Sequence, residues 1–462
     1  MTAPHASTWW ATLDPTPPSR PALDGDRDVD VCVVGGGFTG LWAALSLVRR
    51  DPALRVAVLE RDVPGAGASG RNGGWASALY PTPLEAVAAQ HGPGAAVALR
   101  AALRHAVTGL YDEAAAEGIE FDYARGGTVT MARSPLQVER LRGEVDELVA
   151  LGDDPADTRW LDEREARTRC DATGVLGAAY TAHCAAVHPA KLAVGLAAAC
   201  ERRGVEVLEG TAVTAIEPGT RWRRPWARTA AGTVRADVVV RATEGYTATL
   251  RGERRAVVPL YSLIVATEPL DPSFYDRVGL GARETFADGR HLIIYGQRTR
   301  DDRLVFGGRG APYHFGSRTG ARFDESPRVF ARLEATLAEL FGEIPGAFTH
   351  RWGGALGVTR DFRPYARYDR ETGIAAAGGY VGDGVVLSHV AGCALADLFS
   401  GDATDRTALP FVGHRSRAWE PEPLRWLGIN GGLLAAAHAD RVETRTGRPS
   451  RAETVVARLR GA

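Results

Sequence analysis

A glycine-punctuated turn near the start of the chain, Val33-Val34-Gly35-Gly36-Gly37-Phe38-Thr39-Gly40, restricts the fold more than any other feature. It follows a largely apolar run, Val29 to Val34, and opens a helical stretch from Phe38 to Leu47. Arg55 to Glu60 then reads as a second strand ending in an acid. Strand, glycine turn, helix, strand and acid in this order form a dinucleotide-binding unit. Gly35 permits the tight turn, Gly37 lets the backbone approach a pyrophosphate, and Gly40 lets helix and strand pack closely. The helix N-terminus, with Thr39 in its first turn, offers N–H groups and partial positive charge to phosphates. Glu60, 20 residues beyond Gly40 and followed by Arg61, is placed to accept hydrogen bonds from ribose hydroxyls.

The next run, Asp62-Val63-Pro64-Gly65-Ala66-Gly67-Ala68-Ser69-Gly70-Arg71-Asn72-Gly73-Gly74-Trp75, is too glycine-rich for an ordinary crossover, and a surface linker would not need Arg-Asn inside it. Here the chain resembles the D-amino-acid-oxidase-like FAD oxidoreductases, in the branch with glycine oxidase, sarcosine oxidase and gamma-glutamylputrescine oxidoreductase. In that family a loop of this type runs along the phosphates to the isoalloxazine ring. The resemblance puts Ala68, Ser69, Arg71, Asn72, Gly73 and Gly74 at those positions. Small residues let backbone donors reach the ring, and Arg71 adds a fixed charge beside it. It further implies that Val213 meets the adenine side and that Thr243 belongs to a second cofactor segment. Arg241 and Glu244 depart from the family pattern there. Gly378 to Leu387 resembles the closing Gly-rich turn, with Gly382, Asp383, Gly384 and Val385 beside the ring at a helix N-terminus that favours negative charge.

The implied fold is mixed α/β: a Rossmann-like FAD-binding domain with an interleaved antiparallel-sheet substrate domain. The expected division is an N-terminal arm over 1–27, FAD-binding pieces at 28–80, 158–255 and 348–402, substrate-domain pieces at 81–157 and 256–347, and a C-terminal helical extension over 403–462. Residues 93–117 and 135–152 read as helices from the spacing of their apolar positions. Val257 to Thr267 reads as a strand, and His291–Thr299 with Arg303–Gly308 as a hairpin. Ser326 and Pro327 open another helix. Four prolines, Pro15, Pro17, Pro18 and Pro21, make the N-terminal arm extended, with Trp9 and Trp10 as anchors. The segment Leu424 to Ala439 is expected to pack back on the body.

The family implies oxidation of a C–N bond, amine to imine, with the substrate carbon over flavin N5. The flavin carries the redox step, and the protein supplies orientation and field. Trp75, Tyr295 and Tyr380, with Tyr261 and Trp352, are the aromatic candidates for the substrate face, suited to an amine with an apolar or cationic body. Arg309 is the candidate cation facing the flavin. Related sarcosine oxidases place one lysine near flavin N5 and another in the closing turn, where this chain has Val386. Its single lysine, Lys191, belongs to another segment. Either Arg309 takes over that electrostatic role or oxygen is a poor acceptor. An amine oxidase forming hydrogen peroxide is therefore the first reading. An FAD amine dehydrogenase with another acceptor, a flavin monooxygenase and a flavin scaffold without turnover are the alternatives. No cysteine stands near Thr359-Arg360-Asp361 and no histidine in Gly70 to Trp75, so non-covalent FAD is expected.

With 462 residues and a formal net charge of −1, the chain has length for two cores and no bias toward nucleic acid. Five cysteines without a Cys-x-x-Cys pair point to a reducing cytoplasm. No run reaches membrane-spanning length. His183 and His188 flank Cys184, but the segment reads as the start of a helix, with structural histidines and no metal.

Overall fold

Alternation along the first core strand sets the layers. In Val31–Val34, Val31 and Val33 pack into a helical layer, while Cys32 and Val34 pack into a separate cluster on the other side. Val56–Leu59 repeats the pattern, with Val56 and Val58 on the helical side and Ala57 and Leu59 opposite. This is the two-residue period of a pleated strand buried on both faces. The chain is seen here in a computed structural model that describes residues 6–310, 312–450 and 452, with Arg309 described as backbone alone.

These strands lie in a six-stranded sheet ordered Tyr365–Asp369, Ile374–Gly378, Val238–Arg241, Val31–Val34, Val56–Leu59 and Glu206–Leu208. Every pair is parallel except the first. Phe38–Arg50, Pro189–Arg202 and Gly384–Ser400 supply the helical layer. The opposite face is closed by an antiparallel meander of Ala215–Glu217, Trp226–Arg228 and Thr233–Arg235, whose Ala227 and Val234 enter the second cluster. Helices Phe38–Arg50 and Gly384–Ser400 approach closely: a Cβ on Gly392 would stand 2.8 Å from the Trp42 Cβ.

An eight-stranded sheet forms the roof, in the order Phe348–Val358, Val258–Thr267, Leu304–Arg309, Ile294–Arg298, Thr285–Asp288, Thr128–Ala132, Gly177–Thr181 and Thr158–Leu161. It is antiparallel apart from the pair Thr285–Asp288 with Thr128–Ala132. Helix Pro327–Phe341 covers it through Val329, Phe330, Leu333, Leu337 and Leu340. Ser326 stands at the N-cap of that helix without a side-chain hydrogen bond.

Two pieces grouped with the FAD-binding segments divide between the sheets. Thr158–Leu161 and Gly177–Thr181 pair with each other, and Gly177–Thr181 pairs also with Thr128–Ala132, inside the roof. Phe348–Val358 pairs along Val258–Thr267 in the same sheet. Partner strands distant in sequence decide such membership, so local pattern does not reveal it.

Trp9 and Trp10 do anchor the N-terminal arm. They lie in a short helix, Thr8–Ala11, with 2% and 7% of their surface exposed. The Trp9 indole N–H donates to the Asn72 carbonyl at 2.8 Å, and its ring meets Trp352 edge-on at 6.4 Å. The C-terminal segment also packs back, as a helix longer than expected, Leu424–Thr446. Asp440 accepts from the His291 and Leu292 N–H groups, and Glu443 pairs with Arg140 at 2.9 Å. These polar contacts extend the helix beyond its apolar stretch; residue 451 and residues 453–462 of the C-terminal extension lie outside the described residues. No helix among the described residues is long and apolar enough to cross a membrane.

Trp9→Ala removes a buried indole and its bond to the Asn72 carbonyl. Core truncations of this size cost about 3–5 kcal/mol. Thermal melting should move to lower temperature than in the parent protein.

Candidate active site

An elongated cavity begins at the carboxyl ends of the two central strands. Gly35, Gly37, Thr39, Glu60 and Arg61 line one part; Ala68, Ser69 and Asn72 line the next. Val213, Thr243, Gly382, Gly384 and Val385 complete the wall. At Gly35 the backbone turns with φ +108°, and a Cβ would lie 2.5 Å from the Ala242 carbonyl oxygen. Gly40 does not line the cavity. A Cβ there would meet the Gly35 oxygen at 2.1 Å, so this glycine serves the helix–strand contact. At Gly37 a Cβ would come within 2.8 Å of Ser69 Oγ, which accepts from the Phe38 N–H at 2.9 Å.

Glu60 closes the turn from below. One carboxylate oxygen accepts from the Gly36 N–H at 2.7 Å and the other from the Asp62 N–H at 2.9 Å. Burial raises its carboxyl above the ordinary value, with those two donors opposing the shift. A helix N-terminus, a glycine cradle that side chains would fill and an acid at the strand end are the donor set a dinucleotide requires. The residues present fit that ligand.

The Gly-rich loop is held from several sides. Asn72 Oδ1 accepts from the Gly74 N–H at 2.8 Å, and its Nδ2 donates to the Ser69 carbonyl at 2.7 Å. Gln297 Nε2 donates to the Gly73 and Gly74 carbonyls at 2.7 and 2.9 Å. Gly74 has φ +72°, and Gly73 lies so near Tyr295 that a Cβ would be 2.4 Å from its ring. Arg71 is 4% exposed. It pairs with Asp324 at 2.9 Å and donates to the Tyr246 hydroxyl at 2.9 Å, so its charge is shared with a carboxylate.

A second cavity of about 470 Å³ opens beside the loop. Ala68, Asn72, Leu356, Gly382 and Val385 line both cavities and mark their junction. Arg71, Gly73 and Asp383 face the second cavity and not the first; Gly74 lines neither. Trp75 and Tyr295 form an aromatic wall with rings 6.2 Å apart at 76°, and the Tyr295 hydroxyl lies 2.7 Å from Ser262 Oγ.

Three of the other aromatic candidates stand elsewhere than on this wall. Tyr380 lines the first cavity, its hydroxyl 2.9 Å from Thr39 Oγ1, because the closing turn swings it under the glycine loop. Tyr261 points away from the cavity into the roof core beside Phe323, since Ser262, its neighbour on the pleat, takes the cavity side. Trp352 is 1% exposed and lines neither cavity. It donates to the Arg71 carbonyl at 2.9 Å and props the loop from behind. Arg309 ends its roof strand opposite Ser262; its side chain lies outside the described residues.

His188 caps the helix Pro189–Arg202, Nδ1 accepting from the Lys191 N–H at 3.1 Å, and burial pushes it down to about 4. Lys191 pairs with Asp122 at 2.9 Å and lines neither cavity. The departing pair has distinct partners. Arg241 is buried against Tyr365 and Glu253. Glu244 accepts from the Gly379 and Tyr380 N–H groups at 3.1 and 3.2 Å, holding the closing turn, and burial raises its carboxyl to about 7. Gln297, Ser262 and Asp324 gave no local signal, because each acts on a segment far away in sequence.

Comparison with known proteins accords with this geometry. Residues 30–398 match the DAO family model, described as FAD dependent oxidoreductase. A probable oxidoreductase OrdL of Rhizobium meliloti is 28% identical over 406 residues, 86% of this chain and 89% of that protein. The gamma-glutamylputrescine oxidoreductase of Escherichia coli is 30% identical over 427 residues, 89% of this chain and 94% of that one. The crystal structure of glycine oxidase from Geobacillus kaustophilus has the same fold, with TM-score 0.70 at 24% identity over 85% of this chain and 100% of that chain.

Glu60→Ala should weaken FAD binding about ten- to a hundredfold, the worth of a charge-assisted hydrogen bond, with a much smaller change in the limiting rate of flavin reduction. Titration of the flavin-free protein with FAD checks this. Glu244 supplies a pH test. Its folded value lies above the ordinary one, so its contribution to stability is complete below about pH 4.5 and is lost as pH rises through about 7. Glu244→Gln should remove that fall, worth on the order of 3 kcal/mol, and flatten melting temperature against pH between about 5 and 8.

Proposed function

The chain belongs to the DAO family of FAD-dependent oxidoreductases, and from that premise we propose that it oxidises the C–N bond of an amine or amino compound to the imine, which water then cleaves. The observation that carries this reading is the junction of the two cavities, where Ala68, Asn72, Gly382 and Val385 face both. A ring system threaded from the glycine turn would end there, against the aromatic wall of Trp75 and Tyr295. Bound in this way, FAD supplies a two-electron acceptor for the hydrogen on the carbon next to nitrogen.

In this assignment Gly35, Gly37 and Thr39 receive the pyrophosphate, Glu60 the ribose and Val213 the adenine side. The backbone of Ala68 to Gly73, with Gly382 to Val385, holds the ring without a covalent bond. Trp75 and Tyr295 exclude water and fix the plane in which the substrate lies. Bound FAD would take oxygen as its acceptor, giving hydrogen peroxide, and Arg309 is the cation assigned to favour that reaction. A dehydrogenase using another acceptor is the second reading. It draws support from the engagement of Lys191 with Asp122, away from both cavities.

Anaerobic mixing of the FAD-loaded protein with a panel of amines and amino acids, including gamma-glutamylputrescine, glycine and sarcosine, should bleach the flavin with at least one of them. Admission of air should then restore the colour with one peroxide per flavin. Arg309→Met should slow that return about 10²–10³-fold while FAD stays bound. Sluggish return in the parent protein would favour the dehydrogenase, and no bleaching by any compound would refute the reading.

A further inference from the structure

The second cavity has a chemistry that the oxidised C–N bond does not require. Glu144 and Glu147 line it from the helix Pro135–Ala150, one turn apart and therefore on the same face. Neither carboxylate has a hydrogen-bond or ion-pair partner among the described residues. Arg140, the cation that acts on Glu144, is held by Glu443 at 2.9 Å and by the Gly289 carbonyl at 2.7 Å. Glu144 is exposed at the cavity rim and Glu147 half-buried; desolvation and, to a lesser extent, the charge of Glu147 raise the Glu144 carboxyl.

A second observation is independent of the acids. His183 lines the same cavity with 7% of its surface exposed, and neither ring nitrogen has a hydrogen-bond partner. Nε2 stands 3.7 Å from Asp157, and burial lowers its pKa, so the ring is a neutral donor and acceptor. Leaving such a group unsatisfied is costly, and a buried polar atom facing a cavity marks a place for a ligand atom. The two described arginines of the cavity wall have partners already: Arg71 is bound to Asp324, and Arg100 to Asp153 at 2.5 and 2.8 Å. The same cavity is also lined by the apolar and aromatic surfaces of Leu79, Tyr80, Leu148 and Tyr180.

We infer that this enzyme selects amines bearing a second positive charge, a distal ammonium group held by Glu144 and Glu147 with His183 accepting a further hydrogen bond. The inference rests on the amine-oxidising reading above. An alkyl chain would lie against these apolar and aromatic surfaces, with the nitrogen to be oxidised beside Trp75 and Tyr295. Two unpaired carboxylates give such a dication an advantage that a single-charged amine of like length does not share, and each charge-assisted bond lost should cost about tenfold in affinity.

The test compares putrescine with N-acetylputrescine, which keeps one amine and caps the other, in anaerobic reduction of the FAD-loaded protein. Putrescine should half-saturate at a concentration about tenfold or more below that of N-acetylputrescine, and added salt should narrow the difference. The double substitution Glu144→Gln and Glu147→Gln should raise half-saturation by putrescine about tenfold and bring the two amines within twofold, the effect falling on half-saturation rather than on the limiting rate. His183→Leu should weaken putrescine by a smaller factor. Bleaching by both amines with no preference, or a double variant that shifts both equally, would overturn this inference and leave amine oxidation standing. Absence of bleaching by either amine or by the wider panel would overturn both.

Discussion

The contact between Gly40 and the Gly35 carbonyl is the constraint from which the rest of the cofactor domain follows. A Cβ at Gly40 would stand 2.1 Å from that oxygen, so the helix Phe38–Arg50 can lie against the strand Val31–Val34 only without a side chain there. That approach fixes where the helix N-terminus points and hence where phosphates gain from its field. It also brings the Gly36 N–H within 2.7 Å of Glu60, tying the turn to the end of the neighbouring strand. Helix Gly384–Ser400 then packs on the first helix through Gly392, which orients the closing turn toward the same cavity.

The loop from Gly65 to Gly74 joins this domain to the roof, and its supports come from segments far apart in the chain. Ser69 binds the N-terminus of the first helix, Trp352 and Gln297 hold loop carbonyls from roof strands, and Trp9 reaches in from the N-terminal arm. Arg71 is neutralised in large part by Asp324. A loop held by bonds from four separate segments keeps its backbone in one conformation, which is what positioning a planar ring against a second cavity demands. Glu244 does the same for the closing turn, at the cost of a buried carboxyl raised to about 7.

Much of this was legible in the residues. The order of strand, glycine turn, helix, strand and acid identified the dinucleotide unit, and the cavity does gather Gly35, Gly37, Glu60, Ser69, Asn72, Val213 and Thr243. The helices at 93–117 and 135–152, the hairpin before Arg309 and the anchoring tryptophans were readable from spacing. Less legible was which way an aromatic points. Tyr261 and Ser262 are adjacent on one strand, and only the sheet's placement decides which of them meets the cavity. Tyr380 and Trp352 are governed in the same way, by a turn and by a strand whose partners are remote in sequence.

What the sequence by itself determined is the local geometry that a few residues enforce. Glycines set the turn and the close approach, alternation set the buried strands, and an acid stands at a strand end. Those effects act within a few residues, where sterics and hydrogen bonding leave little choice. The tertiary structure decided what depends on distant partners: the division of 158–181 and 348–358 to the roof sheet, the pairing that spends Arg71 on Asp324, and the junction of two cavities at Gly382 and Val385. The physical reason is that side-chain direction, ion pairing and cavity shape are set by which surfaces meet across the chain, and a local pattern carries no record of that meeting.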